Sequence, residues 1–111
     1  MSLRARLPSP GALFMFEAAA RYRNFTLAAR EFNITQPAIS RMISRLEDHL
    51  GARLFLRRST GLELTEQGRA LQRAVRQGFD RIEEAVCDIQ ASANAGDVVT
   101  LSVTSAFAIH W

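Results

Sequence analysis

The 111 residues contain no lysine, so all fourteen basic residues are arginine. Arginine carries a planar fork of donors that grips a phosphate or a guanine at two points, whereas a lysine ammonium is a compact point charge. A single cysteine, Cys87, excludes an internal disulfide and the metal motifs built on paired thiols, and it suits a reducing cytosol. No apolar run approaches the roughly 20 residues that span a bilayer, and the opening Met1-Ser-Leu-Arg-Ala-Arg-Leu-Pro8 lacks the apolar core of a secretion signal. A cytoplasmic protein with no membrane partner is expected. The constellations of enzymes are missing too: no glycine-rich phosphate loop, no Ser/His/Asp order, no carboxylate pair in a plausible cleft. Of two histidines, His49 falls near a predicted helix end, where partial positive charge suits the dipole, and His110 has no companion at ligand spacing. These absences predict a protein that is not an enzyme and takes no cofactor or metal.

What is present is enough for one small domain with an appendage. Hydrophobic residues make up 48% and charged residues 23%, the balance of a folded chain rather than a disordered one. The net charge of +3 conceals an uneven distribution. Residues 1–65 carry ten arginines against five acidic residues, a balance of +5, and residues 66–111 carry four against six, a balance of −2. The front of the chain therefore has the footprint of a polyanion-binding unit, with a merely solvated basic surface as the plain alternative.

Local signals divide that front part into short elements. Ser9-Pro10-Gly11 starts a helix to about Arg23, with Leu13, Phe16 and Ala20 at helical spacing. Asn24 breaks it, and a short helix over 26–32 follows, with Ala28, Ala29 and Phe32 inward. Thr35 is a good N-cap for a third helix, and Pro37 sits in its first turn, where a missing N–H is harmless. This helix stops at Gly51. Its expected inner face is Ile39, Met42, Ile43, Leu46 and Leu50; its outer face is Gln36, Pro37, Ser40, Arg41, Ser44, Arg45 and Asp48. Apolar runs at 54–57 and 62–65 around the tetrapeptide Arg58-Ser-Thr-Gly61 predict a β-hairpin. Thr65 caps a long helix over 66–91, and 92–97 reads as a flexible linker before a lone strand, Val98-Val-Thr-Leu-Ser-Val-Thr104.

The stretch from Ala29 to Met42 has the requirements of a helix-turn-helix. The first helix needs a small residue where the second crosses it, and Ala29 supplies one. The turn needs a residue that enters positive φ cheaply, and Asn33 is such a type. Phe32, Ile34, Ile39 and Met42 supply the apolar interior. Packing alone accounts for those positions but not for the outer face of the third helix. A solvated helix usually alternates Glu and Lys; here the exposed start is Thr35, Gln36, Pro37, Ser40 and Arg41, with Arg45 one turn later. Short and amide side chains suit base edges, and guanidinium groups suit guanine or phosphate.

These segments resemble the LysR-type transcriptional regulators. The matching residues are Phe25-Thr-Leu-Ala-Ala29, Thr35-Gln-Pro-Ala-Ile-Ser-Arg41, Leu46-Glu47, Leu50-Gly51, Leu54-Phe-Leu-Arg57 and Leu64-Thr-Glu-Gln-Gly68. The opening Leu13-Phe-Met-Phe-Glu-Ala-Ala-Ala-Arg21 is most similar to the glycine-cleavage activator subgroup of that family. The resemblance covers about 7–91 without a gap; Asn24 stands where the family usually has Ser, and both types can cap a helix. It implies a mainly α, winged helix-turn-helix fold: three helices plus a β-hairpin wing, followed by a long dimerisation helix. It implies that double-stranded DNA is the partner, that Gln36, Pro37 and Ser40 meet base edges, that Thr26, Thr35 and Arg41 lie near phosphates, and that Arg57 and Arg58 of the wing lie near the backbone or minor groove. The alternative for Arg57 is a salt bridge to Glu63 or to the last helix.

The last helix makes its own case for a second copy of the chain. Leu71, Val75, Gly78, Ile82, Ala85 and Ile89 step by alternating fours and threes, which is a heptad seam. Gly78 and Ala85 let a partner backbone come close, and Phe79 and Val86 widen the stripe. Cys87 falls outside the seam. The expected organisation is a DNA-binding domain over 1–65, a linker and dimerisation helix over 66–91, and over 92–111 a linker with the start of an α/β effector-binding domain. By that resemblance the chain is a truncated bacterial regulator or a fragment that lacks ligand sensing. A tetramer and RNA polymerase are the further partners open to a longer parent. Two rivals share some features: a non-specific DNA-compacting protein, which needs no Gln or Ser on the helix face, and a protein-interaction module, against which the +5 headpiece counts.

Overall fold

A computed structural model describes residues 2–95, arranged as five helices and one hairpin. A single turn of helix, α1 (Leu3–Arg6), was not foreseen from the sequence; Ser2 caps it. The main helices follow as α2 (Pro10–Tyr22), α3 (Phe25–Glu31) and α4 (Gln36–Leu50), then strands β1 (Phe55–Arg58) and β2 (Gly61–Leu64), and last α5 (Glu66–Ala95). The chain divides into two compact units, Met1–Val75 and Arg76 onward. Among the described residues no helix is long and apolar enough to cross a membrane.

Capping chemistry explains where the helices begin and end. Ser9 Oγ accepts from the Ala12 N–H, Asn24 Oδ1 from Leu27 and Thr35 Oγ1 from Ala38, each satisfying a donor that a helix start leaves open. Asn33 has φ 56°, in the left-handed region that the turn requires. Around it the Ile34 N–H donates to the Ala29 carbonyl and the Asn33 N–H to Arg30, the paired bonds of a Schellman motif. Gly51 ends α4 in the same region, with φ 71°. Arg23, at φ 51°, closes α2, a position where the absence of glycine gave no warning of left-handed backbone.

The core of the first unit is built by α2, α3, α4 and the hairpin. Phe16 and Ile39 are fully buried, and Phe55 of β1 stands between Phe16 and Phe25 with ring centroids 5.6 Å and 5.4 Å away. Ala18, Ala19, Ala28 and Ala29 are buried with little bulk, which lets α2, α3 and α4 approach closely. Truncating Phe55 to alanine would cost roughly 3–5 kcal/mol from lost burial and the cavity left behind. The expected inner face of α4 needs one correction: Ile39, Ile43 and Leu46 are buried and Met42 half-buried, but Leu50 is 40% exposed, because the helix ends there and the core lies behind it.

The hairpin is tighter than the sequence reading had it. Its strands pair Phe55 with Leu64 through Arg58 with Gly61, so Arg58 and Gly61 belong to the ladder and only Ser59 and Thr60 form the loop. Thr65 then fastens the start of α5: its hydroxyl donates to the Arg53 carbonyl at 2.6 Å and accepts from the Gly68 N–H at 3.0 Å. A Cβ at Gly68 would collide with the Leu54 carbonyl oxygen, so only glycine permits this approach.

The last helix runs further than 66–91: residues 92–95, expected as linker, continue the helix. Within the first unit Val75 is buried and Leu71 half-buried. In the second, Gly78, Ile82, Ala85, Val86 and Ile89 are exposed, and Phe79 and Cys87 are half-buried. The rest of the expected linker, the strand over 98–104 and the start of an effector domain lie outside the described residues.

Candidate nucleic-acid interface

The outer face of α4 is held in place by the helix's own N-cap and by bonds to the start of the hairpin. At its start, Thr35 is committed through Oγ1 to the Ala38 N–H and is itself exposed. At its end, the Glu47 carboxylate accepts from the Leu54 and Phe55 N–H groups at 2.8 Å and 3.2 Å, with Arg53 Nε at 3.7 Å. The helix and the first wing strand are thereby tied together. Gln36 and Ser40 are half-buried, and Pro37, Arg41 and Arg45 are exposed. The first turn carries no acidic residue, and among the described residues neither Arg41 nor Arg45 has an ion-pair partner.

A groove of about 300 Å³ opens beside the start of α4, lined on three sides by the first turn of α3, by Gln36 and by the hairpin. It gathers four residues singled out from the sequence, Thr26, Gln36, Arg57 and Arg58, and adds Arg23, which the sequence marked as a helix end and not as a DNA contact. Ser40 adjoins the wing as well, since Arg57 Nη2 donates to its Oγ at 2.8 Å. Arg41, Arg45, Pro37 and Thr35 do not line this groove and stand on the open face of α4 and its cap.

The arginines fall into two groups. Arg21 is consumed structurally: it bonds Glu17 at 2.9 Å and Glu31 at 3.1 Å, and Tyr22 Oη donates to Glu31 at 3.0 Å. The hydrogen bonds it donates to Glu17 and then Glu31 hold its guanidinium charged even beyond the ordinary arginine range. That cluster braces α2 against α3 and is not available to an anion. Arg58 pairs with Glu63 across the hairpin, both largely exposed, so the pair is weak and readily exchanged for another anion. The alternative partner for Arg57, Glu63, is therefore taken by its neighbour. Arg69 is bound to the Leu64 carbonyl.

Comparison with known proteins places this arrangement. The profile described as bacterial regulatory helix-turn-helix protein, lysR family, matches residues 11–69. The glycine cleavage system transcriptional activator of Escherichia coli K12 is 44% identical over 96% of this chain and 34% of its own length. The transcriptional activator AmpR of Providencia stuartii is 41% identical over 97% of this chain and 36% of its own. The chain thus spans about a third of the length of these curated relatives. Among solved structures, the CbnR DNA-binding domain in complex with DNA matches with TM-score 0.66 and 30% identity, covering 78% of this chain and 99% of that one. The BenM DNA-binding domain on a catB site matches with TM-score 0.67 and 29% identity, covering 84% and 97%.

Proposed function

The chain belongs to the lysR family of bacterial regulatory helix-turn-helix proteins, and from that premise we propose that it is a sequence-specific transcriptional regulator that reads double-stranded DNA as a dimer. One observation carries the reading. The start of α4 presents Gln36, Pro37, Ser40 and Arg41 with no acid in its first turn, beside a groove that collects Arg23, Arg57 and Arg58. Amide and hydroxyl groups suit base edges in the major groove, and guanidinium groups suit the phosphates on either side. Gln36, Pro37 and Ser40 are assigned to bases. Thr26, Thr35, Arg41 and Arg45 are assigned to the backbone, with the wing residue Arg58 at the backbone or the minor groove. The relatives in solved DNA complexes have the same fold, which supports this docking.

The dimer reading rests on the exposed half of α5, where Gly78, Ile82, Ala85 and Ile89 form the part of the seam that is exposed among the described residues. Leu71 and Val75, the first two seam positions, are covered within the first unit and contribute less to a partner. A single winged headpiece covers little DNA, whereas two on a two-fold axis make the second contact effectively intramolecular. The proposed protein is cytoplasmic and not an enzyme.

The test is selection of duplexes from a random-sequence pool by the 111-residue chain. The expected result is enrichment of a motif with two related half-sites. No enrichment over the starting pool would overturn the reading. On the selected duplex, Arg41→Ala should lower the salt slope of binding by about one unit, the signature of one lost phosphate contact.

A further inference from the structure

The two wing arginines differ in where the hairpin aims them. With Phe55 opposite Leu64 and Arg57 opposite Leu62, strand alternation places Arg57 on the face shared with the buried Phe55 and Leu64, and Arg58 on the face shared with Glu63. The Arg57 guanidinium carbon stands 5.0 Å from the centroid of the Phe25 ring, and Nη2 donates to Ser40 Oγ at 2.8 Å. One wing side chain therefore touches both helices of the helix-turn-helix, α3 through Phe25 and α4 through Ser40.

We infer that Arg57 is a positioning residue for base recognition, latching the wing to α4 and fixing the Ser40 hydroxyl so that Ser40 meets DNA as a donor. This rests on the DNA-binding reading above and specifies how one of its residues works. A serine side chain has three staggered wells, and the bond to Arg57 selects among them. The hydroxyl has one donor and two lone pairs. Arg57 occupies one lone pair and sets its positive charge beside the oxygen, which disfavours a second donor there, so the proton is the group presented to guanine N7 or O6, adenine N7 or thymine O4. A bond accepted from a cation also polarises the O–H and strengthens its onward donation. Lysine cannot substitute, because it has neither a planar face to lie over Phe25 nor a rigid fork to reach Ser40 from that position.

The experiment uses duplexes selected from a random pool by the wild-type chain. Ser40→Ala should flatten the preference at one base pair of each half-site. Arg57→Lys should flatten the same pair by about three- to tenfold, the worth of one hydrogen bond, although the charge is kept. The double variant should lose no more than either single one, since both remove one coupled interaction. Arg57→Ala should lower the salt slope by well under the one unit expected of a phosphate contact. A merely structural arginine would weaken all sequences alike and lower the melting temperature without singling out one base pair. Retention of the wild-type preference by Arg57→Lys, additive losses, or a full unit of slope lost would each overturn the latch alone. A wild-type chain that enriches no duplex overturns the DNA-binding reading, and the latch with it.

Discussion

Along α5, Val75 is 7% exposed, whereas Ile82 and Ile89, one and two heptads on, are 60% and 68% exposed. The residue class and the spacing are the same in both halves, so periodicity alone does not distinguish them. What differs is the neighbourhood. The first ten residues of α5 dock on their own headpiece, where Gly68 admits the Leu54 carbonyl and Arg69 bonds to the Leu64 carbonyl. From residue 76 on, Gly78, Ile82, Ala85 and Ile89 are exposed, and an exposed aliphatic seam with small residues at Gly78 and Ala85 is what a partner helix needs. On the proposed dimer, one helix would combine a structural half and an associating half.

The largest expected effect comes from charging the bare half. Ile82→Glu would bury an unpaired carboxylate in the proposed seam and should cost about 4 kcal/mol of association while the headpiece stays folded. Sedimentation at tens of micromolar should show wild-type dimer and variant monomer; a wild-type monomer would remove the dimer from the account. In the covered half, Gly68→Ala forces a methyl group against the Leu54 carbonyl. It should destabilise the headpiece by about 3 kcal/mol, an overpacking cost, measured by denaturant melts.

Smaller effects sharpen the same contrast. Asn33 holds the turn at φ 56°. Asn33→Val should lose about 1–2 kcal/mol where Asn33→Gly is neutral or slightly stabilising. Equal melting temperatures for the two would mean the turn does not constrain the fold. A Cβ at Gly78 meets nothing within 4 Å in the single chain. Gly78→Ala should therefore stabilise the dilute chain by about 1 kcal/mol through helix propensity while weakening the dimer. A stability loss like that of Gly68→Ala would show that both glycines serve close packing in the headpiece.

Much of this architecture was legible because it rests on local chemistry. Thr35, Asn33 and Gly51 carry capping and left-handed preferences that act over a few residues, so the boundaries of α4 could be read directly. The Ala29 crossing was readable for the same reason. Arg23 was not, since arginine has no preference for the left-handed region and its backbone there is set by the packing of α2 against α3. The partners of Arg57 and Arg58 depend on strand parity. The pairing of Leu56 with Glu63 puts Arg57 on the opposite face from Glu63, and that argument needs the register rather than the composition of the hairpin. The covered and bare halves of α5 were indistinguishable until the headpiece that covers one of them was in place.

The central claim is that the outer face of α4 reads base sequence, and Gln36 tests it most directly. Wild-type and Gln36→Ala chains are titrated against the selected duplex and against every single base-pair change within it. Gln36→Ala should lose discrimination at one or two particular pairs in each half-site, worth roughly 1–3 kcal/mol there, and keep it elsewhere. A Gln36→Ala profile identical to wild type at every base pair would contradict that claim.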